Sequence, residues 1–194
     1  MKHSSNRELF EYWNKRRGRR SAPERGEIEP GAIRHVLADT FILAFEAGAG
    51  HPFRIAGTRI CALFGRELKG AAFLDLWAAG SREQVRDLIA VAANESVGAV
   101  ARASGASADA VTRDLELLIL PLSHRGRMDA RILGALAPTE VPHWLGAGTL
   151  GGLTLGTLRY LGDGVPAGFA PRITPAIPNG RIRHGLVIYD GGQS

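Results

Sequence analysis

The chain is poor in the residues that most often announce a chemistry. Among its 194 residues there is one cysteine, Cys61, and the six histidines stand apart at positions 3, 35, 51, 124, 143 and 184. A single thiol excludes an internal disulfide and any multi-cysteine zinc site, and no two histidines share an HExxH or comparable metal spacing. A nucleophile elbow of the GxSxG type is missing, as is the P-loop Lys followed by Ser or Thr. GAGTLG at 146–151 has GxGxxG spacing, but Pro142 precedes it and a strand-like segment follows, so the strand–turn–helix setting of a dinucleotide site is lacking. No apolar run approaches the roughly 18 residues that span a bilayer. The N-terminus has none of the basic region, apolar core and small-residue site of a signal peptide. These gaps set two expectations: the chain is not an enzyme, and it is cytoplasmic. An enzyme with a spatially assembled site is the weakest reading, since His124 in the SHRG turn would need a nucleophile brought to it from elsewhere.

What is present is a globular composition, 45% hydrophobic and 22% charged, with a net charge of +5 that is unevenly spread. Residues 1–30 carry eight Lys and Arg against five Asp and Glu, while residues 31–194 carry 16 against 14. The densest run is Lys15, Arg16, Arg17, Arg19 and Arg20. Arg16, Arg17, Arg19 and Arg20 are therefore candidate anion-binding residues, for nucleic acid or an anionic membrane surface. Glu11, Glu24, Glu27 and Glu29 stand close by, and a salt-bridged arm is the competing reading.

Apolar spacing predicts a first helix from near Asn6 to Gly18, with Leu9, Tyr12 and Trp13 on one aromatic stripe. Leu9, Tyr12 and Trp13 are candidate interface residues, with packing on their own core the alternative. Pro30 suits the first turn of a second helix. Residues 41–47 and 53–57 read as an antiparallel hairpin across the Gly48–Pro52 turn. Thr58 to Phe64 reads as a short helix ended by Gly65. Ser81 followed by Gln84 has the capping-box spacing, and the stripe Val85, Leu88, Ile89, Ala92, Ala93, Val97 and Val100 predicts a helix running to about Ala103. Residues 111–120, 128–136 and 153–161 are strand candidates, with Pro121 at the edge or end of the first. Ile182 and Leu186 to Tyr189 suggest one late strand.

Three segments are expected: a helical and basic lead at 1–29, a compact domain at 30–162, and a Gly/Pro-rich tail at 163–194. The expected fold class is α+β, a five-stranded antiparallel sheet with helices packed on one face and an N-terminal helical extension.

The order of elements resembles a PAS domain. LFEYWNKRRGRRSAPERGEIEPGAIRHVL (9–37) and FRIAGTRICALFGRELKGAAFLDLW (53–77) resemble the signature stretches of an alphaproteobacterial PAS-like family, the PAS_5 type, known as stand-alone PAS-domain proteins. Tyr12, Trp13, Arg17, Gly18, Pro23, Arg25, Ile28, Pro30, Ile33 and Leu37 carry the first match. Arg54, Gly57, Thr58, Phe64, Gly65, Glu67, Leu68, Gly70, Phe73, Leu76 and Trp77 carry the second. The resemblance implies a sensory or protein-interaction module in signal transduction, acting as a homodimer or with a signalling partner and binding a small ligand in some cases. The alternative is a basic-arm adaptor for nucleic acid or an anionic membrane surface.

Within that resemblance, Arg54, Phe64 and Trp77 are candidate cavity or ligand contacts, and Arg54 and Trp77 each have a competing structural role. Arg54 falls where strand alternation favours an outward charge, and Trp77 suits a core aromatic. The cofactor is unknown. Haem held from the long helix is disfavoured, because residues 81–103 contain no histidine. A flavin adduct through Cys61 is disfavoured, because TRICALFG lacks the GxNCRFLQ motif of flavin photosensors, and a buried small hydrophobe is the expected role of that residue.

Overall fold

The computed structural model describes residues 1–107, 111–124, 127–140, 148–161, 180–183 and 186–189. The order of elements begins with α1 (Ser4–Arg17), followed by single 3-10 turns at Arg25–Glu27, Pro30–Ile33 and Leu37–Asp39. Strands β1 (Thr40–Ala44) and β2 (Phe53–Ala56), helices α2 (Thr58–Phe64) and α3 (Ala79–Asn94), and strands β3 (Gly98–Ala106), β4 (Thr112–His124), β5 (Arg127–Pro138) and β6 (Thr154–Leu161) complete the body. A separate hairpin pairs β7 (Gly180–Arg183) with β8 (Leu186–Tyr189). The rest of the Gly/Pro-rich tail, with the 141–147 part of the glycine-rich GAGTLG region, lies outside the described residues.

The main sheet is antiparallel, in the order β2-β1-β5-β4-β3-β6. Its inner face carries Phe41, Leu43, Leu117, Ile119, Ile132 and Leu136, packed against Ile60 and Leu63 of α2 and Val85, Leu88, Ile89, Ala92 and Ala93 of α3. Its outer face carries Ile42, Leu118, Leu120, Leu122, Leu133 and Ala135. That face is covered by Leu9 and Trp13 of α1, with Ala22, Ile28, Ile33 and Val36 from the segment that follows. Both faces of the central strands are therefore buried, which is why β4 reads as a continuous apolar run and not as an alternation.

The α+β antiparallel architecture is as expected, but the sheet has six strands where five were predicted. The missing strand is β3. Alanine is the strongest helix former, so the alanine-rich sequence after residue 94 read as a continuation of α3. Instead α3 ends at Asn94, Ser96 adopts a left-handed backbone (φ 56°), and Ala99, Ala101 and Ala103 alternate onto the inner face. Val100, predicted on the helical stripe, lies on β3.

The predicted capping box is also corrected. α3 starts at Ala79, so Ser81 lies inside the helix, where its Oγ accepts the Leu155 N–H of β6 at 3.0 Å. Pro121 does not end β4, which continues to His124. It sits past the last β3 pair, Ala99 with Ile119, so only the β5 side of the strand still pairs there. The helix predicted from Pro30 is a single 3-10 turn. The single late strand becomes the β7–β8 hairpin.

Candidate functional site

The first helix is fixed to the outer sheet face by Leu9 and Trp13 and to the segment that follows it by Tyr12. Leu9 and Trp13 bury their side chains there, and burial of residues this size stabilises by roughly 1.5–3 kcal/mol each. The Trp13 indole Nε1–H also donates to the Pro121 carbonyl at 2.8 Å, and Phe10 stacks on its ring at 6.1 Å. Tyr12 is half-buried; its hydroxyl donates to the Glu27 carbonyl at 3.1 Å and accepts the Glu29 N–H at 2.9 Å. Of the three predicted interface residues, Leu9 and Trp13 are thus occupied by the chain's own sheet, and Tyr12 ties α1 to the segment that follows it.

Two buried carboxylates hold the start of α1, and neither was singled out from sequence. Glu116, on the outer face of β4, accepts the backbone N–H groups of Lys2 (2.7 Å) and His3 (3.1 Å) and the Asn6 amide (3.0 Å). The Asn6 amide also donates to the Glu116 carbonyl at 3.1 Å. Asp39, fully buried, accepts the Ser5 hydroxyl at 2.7 Å and the Arg59 guanidinium of α2 at 2.6 Å on the same oxygen, Oδ2. One buried carboxylate therefore touches both α1 on the outer face and α2 on the inner. Gly57 makes this junction possible: a Cβ there would collide with the carbonyl oxygens of Leu37 and Ala38, and its N–H donates to Thr40 at 2.8 Å. A lone acid followed by a distant arginine carries no sequence signal, so only the fold brings these groups together.

Three arginines of the basic run are engaged by neighbouring side chains of the same N-terminal segment. Arg16 pairs with Glu29 at 3.0 Å and lies over the Tyr12 ring, while Arg17 bonds Asn14 and lies over Trp13. Arg20 pairs with Glu27 at 2.9 Å. That contact raises the Arg20 pKa and lowers that of Glu27, whose carboxylate also accepts the Glu24 N–H. Exposed pairs of this kind contribute little to stability, but they neutralise the run locally. Arg19 has no ion-pair or hydrogen-bond partner among the described residues.

On the inner face, Phe41, Phe53, Phe73 and Trp77 form a continuous ring cluster with centroid separations of 5.3–5.8 Å. Trp77 is buried in it, and its Nε1–H has no partner among the described residues. Phe64 is half-buried against the same core, whereas Arg54 is exposed and pairs with Glu46 at 2.7 Å. The structure does not bring the three predicted cavity residues together at one site.

His51, missed by sequence reading, is buried against Phe45 at 5.3 Å, and neither ring nitrogen meets full hydrogen-bond geometry with a partner among the described residues. Burial, and then the Arg86 charge, push its imidazole pKa down. Cys61 is half-buried, with its thiol 3.7 Å from Glu67 Oε1, and burial pushes its pKa up. Among the described residues no group of three potential metal ligands gathers, and no helix is long and apolar enough to cross a membrane.

Comparison with known proteins agrees with this architecture. Residues 1–137 match the family model PAS_5, described as a PAS domain. No curated protein and no solved structure matches the chain. The matched segment contains α1 with its outer-face seat and the contiguous strand set β2-β1-β5-β4-β3, while β6 lies beyond it.

Proposed function

Because this chain belongs to the PAS-domain family, a group of sensory and interaction modules, we propose that it is a non-enzymatic signalling module of the cytoplasm whose output element is α1. In this reading the inner-face core responds to a small ligand or a protein partner. The response alters how α1 sits on the outer face, and α1 presents that state to a second copy or to a signalling partner.

One observation carries the proposal. The buried Asp39 carboxylate is shared between Ser5 of α1 and Arg59 of α2, so a shift of α2 changes the environment of a group that holds α1. A buried carboxylate left without its cation is costly, which suits a contact with two discrete states.

Amide hydrogen exchange tests it. Arg59→Met should raise exchange across α1 as well as α2. If α1 protection stayed at the wild-type level while α2 lost its own, the coupling would be absent. Light scattering over a concentration series addresses the homodimer, and native mass spectrometry of freshly purified protein addresses the ligand.

A further inference from the structure

We propose that the outer sheet face holds a second site, a groove beside the start of α1 that binds a small phosphate-type anion. This goes beyond the signalling reading and does not depend on it. The groove has a volume of about 190 Å³ and is lined by Lys2, Val100, Arg102, Glu116, Leu158 and Arg159, among others.

Its charge is unbalanced toward the positive. Lys2, Arg102 and Arg159 supply three cations against the single carboxylate of Glu116. That carboxylate is already engaged by the Lys2 and His3 N–H groups and the Asn6 amide. The arginines at 16, 20, 54 and 59 are held in ion pairs, whereas neither the Arg102 nor the Arg159 side chain has an ion-pair or hydrogen-bond partner among the described residues. Other exposed arginines lack partners too; these two differ in converging on a concavity.

The backbone arrangement supports that convergence. Arg102 on β3 pairs with Glu116 on the adjacent β4, and Val100 of β3 pairs with Arg159 on the adjacent β6. The β3–β6 register shifts between Ala101 and Ala103, next to Arg102, an irregularity that re-aims side chains. Gly156 stands at this shift, where an added Cβ would lie 3.2 Å from the Arg102 Cβ. The glycine leaves the space beside Arg102 open. Lys2 of the groove lies two residues before the start of the 14-residue α1, which has no acidic residue in its first turn.

Two guanidinium forks and an ammonium suit a tetrahedral dianion, whose several oxygens accept from different directions, better than a monocarboxylate. A free phosphoanion and a phospholipid headgroup share this chemistry.

Calorimetric titration of the full chain with pyrophosphate at low ionic strength tests the site, alongside sedimentation with phosphatidylglycerol or phosphatidylcholine vesicles. Arg102→Gln and Arg159→Gln should each weaken binding about tenfold or more, and the pair should abolish it. Neutralising Lys15 and Arg19 should leave it unchanged. Binding of pyrophosphate without vesicle binding identifies a free anion, and vesicle binding displaced by pyrophosphate identifies a headgroup. Absence of binding to either probe overturns the proposal, as does binding that survives the double substitution. Both arginines are exposed, so an unchanged unfolding transition is expected; should the double variant unfold, the single variants decide.

Discussion

The Arg59 guanidinium lies 2.6 Å from the Asp39 carboxylate, and the two partners differ sharply in access to water: Arg59 is 32% exposed and Asp39 is not exposed at all. Removing one partner is therefore not equivalent to removing the other. Arg59→Met strands a buried negative charge on the Ser5 hydroxyl and should cost about 3 kcal/mol. Asp39→Asn leaves a cation that water reaches and should cost about 1 kcal/mol. Urea unfolding of the two variants checks the order, and an equal or reversed cost would contradict the asymmetry.

Gly134 faces the Phe41 ring across the β1–β5 pair. A Cβ at that position would overlap the ring and lie 2.6 Å from the Leu118 carbonyl oxygen. Gly134→Ala should destabilise by about 1–3 kcal/mol, because the ring can shift but the backbone oxygen of a central strand cannot. Adding Phe41→Leu should recover part of that loss. A double-mutant cycle with no coupling between the two positions would show that the ring is not the obstacle.

His51 makes stability depend on pH with a definite sign. Its folded pKa lies below the ordinary value of about 6.5, so on acidification the unfolded chain takes up this proton first. The folded state loses stability as pH falls from about 6.5 to the folded pKa, and the loss levels off below that point. Asn tolerates the left-handed backbone at this position (φ 59°) and does not titrate. His51→Asn should flatten the fall in unfolding free energy between neutral pH and the folded pKa. An unchanged slope would assign the acid sensitivity elsewhere.

Burial and the adjacent Glu67 carboxylate both raise the Cys61 thiol pKa. At neutral pH the thiolate fraction is small, so alkylation by iodoacetamide should be slower than for a free cysteine. Glu67→Gln removes the charge and should speed the reaction while leaving the unfolding transition nearly unchanged. Labelling at the rate of free cysteine in the native protein would count against a protected thiol.

The sequence was most legible where one residue sets its own local geometry. Gly18 and Gly65 follow α1 and α2 with positive φ, as helix-ending glycines do, and α2 has the bounds its apolar spacing predicts. The buried stripe of α3 was equally clear from Val85 to Ala93. Legibility failed where a preference had two solutions. Alanines at 99, 101 and 103 suit a helix until the sheet offers them a small-residue face. The site was least legible because its bonds span large separations, 34 residues from Ser5 to Asp39 and 110 from Asn6 to Glu116. Nothing local distinguishes Asp39 or Glu116 from a solvated acid. For the basic run the salt-bridged reading was open in the sequence, with Glu27 and Glu29 close by, but which arginine takes which glutamate was not.

Placing α1 on the outer face has a consequence for what its detachment would mean. The leucines at 118, 120, 122 and 133 are buried beneath Leu9 and Trp13 together with Ala22, Ile28, Ile33 and Val36. Lifting the helix uncovers two adhesive surfaces together, one on the helix and one on the sheet, and each is already shaped for the other. Departure of the helix and creation of a vacancy for another apolar helix are then a single event. A competitor need not recognise the closed form; it needs only to be concentrated enough to reach the bared leucines before α1 returns.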